Sequence, residues 1–167
     1  MSSTLSALEE LCTVLDQELE RQELLHGLVT AQREAIRARD HKTLEARTEA
    51  IGVVAREARD AEGGRQALFD RLARAYELPA DKCNMSGLIA ACPAPFHKRL
   101  RELQTALRDM VETTQREMQA NAKLVRRSLR AVKTSLAAAQ PEAQPAGYPA
   151  SRTGGGKPAP VLLDQRG

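Results

Sequence analysis

The chain has 167 residues, 42 % hydrophobic and 28 % charged, with a net charge of +3 but only two Phe, two Tyr and no Trp. So few aromatics exclude a thick sheet-based core and the aromatic-lined pockets that hold most small molecules, leaving Leu, Ala, Val, Ile and Met to fill thin helix–helix seams. Charge is polarised: residues 1–39 carry seven acidic and four basic side chains, whereas residues 96–139 carry four acidic and ten basic, a distribution that favours antiparallel packing of the basic third helix on the acidic first one and also suits an acidic partner.

The first element is a helix from about Thr4 to Arg39. Leu5, Leu8, Leu11, Cys12, Leu15, Leu19, Leu25, Val29 and Ile36 recur every three or four positions, the spacing of an amphipathic stripe. Gln22 and Gln32 interrupt it, and polar interruptions of this kind fix the register between long helices. Asp40 then caps a second helix with Leu44, Ile51, Val54, Ala58, Leu68, Leu72 and Ala75 on its buried side. The break between the two is short, so the second helix returns antiparallel as a hairpin. Gly63-Gly64 inside it marks either a kink, a close helix contact or a hinge.

Between Leu78 and Pro95 the periodicity stops at Pro79, Gly87, Pro93 and Pro95, with Ser86 placed to cap one short helical turn through Leu88-Ile89-Ala90. Pro95 pre-sets the first turn of a third long helix. Its stripe runs through Phe96, Leu100, Leu103, Leu107, Met110, Thr114, Met118, Asn121, Leu124/Val125, Leu129, Val132 and Leu136. The second half of this stripe is the poorer one. These features predict an all-α fold: an elongated, coiled-coil-like antiparallel three-helix bundle over residues 1–139 with a short helical connection. From Gln140 onward Pro and Gly dominate, which predicts a disordered tail over 140–167. An apolar island, Val161-Leu162-Leu163-Asp164, sits near its end as a docking segment or a plain chain terminus.

Catalytic and cofactor motifs are missing from this pattern. His26, His41 and His97 are scattered, and Glu23-x-x-His26 is only half of a di-iron bundle motif, without a second copy. Gly156-Lys157 fails as a phosphate loop because Pro158 stands where Ser or Thr is required. The expectation is a non-enzyme with no cofactor and no metal. Cys12, Cys83 and Cys92 are odd in number and form no CxxC pair, which points to a reducing compartment, the cytoplasm. The opening residues lack a signal peptide's basic and apolar blocks, and no apolar run is long enough to span a membrane. Arg116, Lys123, Arg126, Arg127, Arg130 and Lys133 form a basic cluster. It lacks the interleaved aromatics of a nucleic-acid site, so no nucleic acid is expected there and a solvated face that assists partner docking is the better reading.

Taken in order, the Leu-rich opening helix, the turn from Arg37 to Leu44, the linker around Leu88, the stretch Gln119 to Leu129 and the Leu162-Leu163-Asp164 ending resemble the FlgN family of flagellar type III export chaperones. Gly63-Gly64 and the long Pro/Gly tail depart from that pattern. The resemblance implies a chaperone that binds the helical termini of hook–filament junction proteins, keeps them from assembling early and delivers them to the export gate and its ATPase. It places client binding in the C-terminal helical region, here Gln119–Leu136; within that stretch the helical spacing lets Leu124, Val125, Leu129, Val132 and Leu136 supply apolar contact to a partner helix, with Asn121 and Ser128 setting its register. The alternatives are a coiled-coil structural or signalling adaptor and a basic nucleic-acid binder. The uncovered stripes also permit a homo-oligomer.

Overall fold

A computed structural model describes residues 2–139; the Pro/Gly tail and its apolar island lie outside the described residues. The described chain is all-helical. Helix α1 spans Ser2–Ala38, α2 His41–Ala75, α3 Met85–Ala91 and α4 Ala94–Ala139, with one 3-10 turn at Ala80–Lys82.

Each boundary has a local cause. The Asp40 side chain accepts from the Thr43 amide at 3.0 Å and caps α2. Arg39 and Glu77 adopt φ of 56° and 49°, and each carries the paired bonds of a Schellman close: Asp40 N–H to the Ala35 carbonyl at 3.0 Å, and Leu78 N–H to the Ala73 carbonyl at 2.9 Å. Neither position is glycine, so the sequence does not advertise these stops. The short helix α3 is capped by Asn84, whose side chain accepts from the Gly87 amide at 2.9 Å. Asn84, and not the expected Ser86, therefore starts this turn; Ser86 already lies inside it. A Cβ on Gly87 would stand 2.0 Å from the Lys82 carbonyl oxygen, so the close approach of α3 to the 3-10 turn requires glycine here. Gly63 and Gly64, by contrast, lie within continuous α2 with nothing near their Cα hydrogens. No close helix contact explains them.

The directions of the long helices follow from their contacts. Gln32 meets Thr48 and Arg71 meets Glu10, so α2 returns antiparallel along α1. Arg99 meets Asp16 while Arg33 meets Asn121 and Glu117, so α4 runs in the same direction as α1. The antiparallel packing of α4 on α1 that the charge pattern suggested is thus corrected. The reason is topological: residues 76–93 cross over at the end where α1 begins, and α4 starts there.

The core sits at that closed end. Leu8, Leu11, Leu72, Leu88 and Leu100 are fully buried together, with Leu15, Leu68, Phe69, Ile89, Cys92 and Leu103 around them. Each such Leu contributes about 1.5–3 kcal/mol by leaving water. Ala75, expected in the α2 stripe, is exposed, and Phe69 and Ala73 take the inward positions instead.

Candidate functional site

Midway along the molecule, apolar packing gives way to polar contacts. The Asn121 amide donates to the Val29 carbonyl at 2.9 Å and to the Gln32 side chain at 3.0 Å, and its oxygen accepts from Arg33 Nε at 3.0 Å. Arg33 also pairs with Glu117, while Gln32 donates to the Thr48 hydroxyl at 3.0 Å. Thr48, Gln32, Asn121, Arg33 and Glu117 therefore link α2, α1 and α4 in one network. The buried Asn121 amide, with both its N–H donors and its oxygen paired, fixes one register, because any slip leaves it unpaired. Gln32 has the registering role its position suggested; Gln22 bonds only to Glu18 of its own helix. Nearby, Thr114 Oγ1 and His26 Nδ1 are enclosed without a hydrogen-bond partner, so this seam is not fully satisfied.

Beyond the network α4 is alone. The Arg33–Asn121 pair sets an offset that places Ala38, the end of α1, beside about position 126 of α4. Helix α4 continues to Ala139, so its last 13 or so residues project by roughly 20 Å. Every residue from Val125 to Ala139 is exposed. Exposure reaches 57 % at Leu129, 55 % at Val132 and 61 % at Leu136, against 0 % at Leu100 on the same helix. At about 100° per residue, Val125, Leu129, Val132 and Leu136 continue the face that carries Leu100, Leu103, Leu107 and Asn121. The core stripe of α4 thus runs on past its partners.

Of the residues singled out from sequence, Val125, Ser128, Leu129, Val132 and Leu136 are exposed together on this projecting end, and Leu124 is half-buried at its root. Asn121 departs from the expectation. It is only 3 % exposed and fully engaged by α1, so it anchors the projecting segment instead of facing a partner. Arg33, Gln32 and Thr48 were missed as its companions; polar residues on otherwise apolar faces were the available signal.

Reactive chemistry is poorly provided for. Burial pushes the Cys12 and Cys92 thiols up, away from the nucleophilic thiolate. Among the described residues no three metal-ligating side chains converge, and no helix is long and apolar enough to cross a membrane.

Long helices closed at one end and bare along an amphipathic face at the other have the form of a protein that holds another protein. The FlgN protein family model matches residues 1–153, and the chain belongs to the FlgN family, a family of flagellar export chaperones and not of enzymes. Chaperones of this family bind flagellar export clients. No curated protein and no solved structure is detectably similar to the chain.

Proposed function

We propose that this chain is a cytoplasmic chaperone for hook–filament junction proteins and that the projecting end of α4 is where the client sits. An amphipathic helical terminus of the client would lay its apolar side on Val125, Leu129, Val132 and Leu136, with Leu124 and Ser128 at the edge. The observation that carries this reading is the exposure of four large aliphatic side chains in line with the protein's own core face. A soluble chain leaves such a continuous apolar stripe in water at a cost, unless a partner covers it. Occupying the client's terminus in this way would keep it from pairing with neighbouring subunits before export. The three long helices act in this reading as an elongated antiparallel bundle, up–down–up, with residues 1–139 forming the chaperone domain and 140–167 a tail. Delivery to the export gate and its ATPase completes the cycle.

Leu129→Asp tests the mapping. It sets a charge in the centre of the stripe while touching nothing buried. Co-purification of a hook–filament junction protein from a co-expressing cell should be lost, with helicity by circular dichroism unchanged. Normal co-purification by this variant would overturn the assignment.

A further inference from the structure

The projecting end of α4 is not symmetric about its apolar stripe. After Glu117 the helix has no acidic residue, and five basic ones follow: Lys123, Arg126, Arg127, Arg130 and Lys133. At about 100° per residue, Val125, Leu129, Val132 and Leu136 occupy a sector about 60° wide. Lys133, Arg126, Arg130 and Lys123 fall on one side of it, beginning with Lys133 about 40° beyond Leu129 and Arg126 about 20° further, while Arg127 stands almost diametrically opposite the stripe. The opposite side holds Leu124, Ser128, Ala131 and Ser135, with no charge at all. None of the five basic side chains forms a salt bridge among the described residues, whereas Arg33, Arg71 and Arg99 are each paired with a carboxylate across a helix seam.

Resting on the client-docking reading above, we propose that the stripe selects one occupant chemistry: an amphipathic helix with acidic residues along one edge of its apolar face. The small, uncharged side of α4 lets the occupant approach closely, and the basic side pairs with its acidic edge. Because only one side is charged, the pairing also dictates which edge of the occupant faces which side of α4, and so its rotation on the stripe. A second copy of the chain is the wrong occupant, since it would bring further positive charges and no negative ones to the same seam. A nucleic acid would use the basic side alone and ignore the stripe.

Two synthetic helical peptides of about 20 residues test this, both with Leu at the spacing of one amphipathic face. One carries Glu along one edge of that face and the other carries Lys there. Fluorescence anisotropy with the full chain at about 50 mM salt should show the Glu peptide binding at least tenfold more tightly, a margin that shrinks on going to about 500 mM. The triple variant Arg126→Glu, Arg130→Glu, Lys133→Glu should invert the preference, and Leu129→Asp should abolish binding of the Glu peptide. Equal binding of the two peptides by wild type overturns the inference, as does an unchanged preference in the triple variant. It is also overturned if a short DNA duplex binds as tightly as the Glu peptide and Leu129→Asp leaves that binding intact, or if the chain dimerises through the stripe. Charge selection and client docking fail separately. If Leu129→Asp loses the junction protein while the peptides are not discriminated, only the charge inference falls.

Discussion

The two ends of α4 are built from the same residue types on the same helical face, yet they do opposite things. At the start, Leu100 and Leu103 close a core with Leu8, Leu11, Leu72 and Leu88. At the far end, Leu129 and Leu136 stand in water. Side-chain chemistry does not separate them; helix length does. Helix α1 is 37 residues long and α4 is 46, and the crossover starts α4 beside the opening of α1, so the surplus emerges at one end only. A stripe that is structural where it has neighbours is left uncovered where it outruns them, and that uncovered length is what the proposed client site uses.

Substitutions sharpen that contrast, the largest at the closed end. Leu72→Ala empties a site with no exposure and should cost about 2–5 kcal/mol, read from the midpoint of urea unfolding. The same truncation at Leu136 should stay within about 0.5 kcal/mol. Equal costs would mean that the projecting end is packed in solution. At the junction between the regions, Asn121→Ala removes three hydrogen bonds, leaving the Val29 carbonyl, Gln32 Oε1 and Arg33 Nε without that partner, for a loss of about 1–3 kcal/mol. Amide exchange in the second half of α4 should accelerate with it.

Thr114→Val changes stability in the opposite direction. The hydroxyl is buried and unpartnered, so replacing it with a methyl of similar shape should stabilise by about 1 kcal/mol in the same assay. A destabilised Thr114→Val would show that the hydroxyl is bonded after all.

The smallest effect concerns Asp40 at the turn beside the projecting end. Bonds from the Thr43 hydroxyl and amide hold its carboxyl below the ordinary value of 3.8. A depressed carboxylate stabilises fully above its unfolded value and loses that contribution as pH falls through its folded one. Asp40→Ala should therefore unfold more easily than wild type at neutral pH, and the gap should close as pH drops below 3.8. A gap that persists in strong acid would assign the effect to something other than the cap.

Much of this was legible in the sequence because helices declare themselves by period. The long elements, the Asp40 start and the stripe from Leu100 to Leu136 all follow from spacing. The direction of α4 relative to α1 did not, since net charge by segment is a weak guide when the crossover decides where a helix begins. Asn121 illustrates the limit most clearly. A polar residue on an apolar face signals a registering contact, but the spacing alone does not say whether the partner is the chain's own α1 or a client. Arg33 and Gln32, on a different helix, settle that in favour of α1. Schellman closes at Arg39 and Glu77 were hidden because neither is glycine.

Hydrogen exchange of the full chain with and without a bound hook–filament junction protein bears most directly on whether the projecting end of α4 is the docking surface. In the free protein, amides of residues 127–139 should exchange fastest among the helices, and those around Leu8, Leu72 and Leu100 slowest. Client addition should slow exchange over 122–139 and leave the closed end unchanged. Protection that appears only at the closed end, with 122–139 still exchanging freely in the complex, would contradict it.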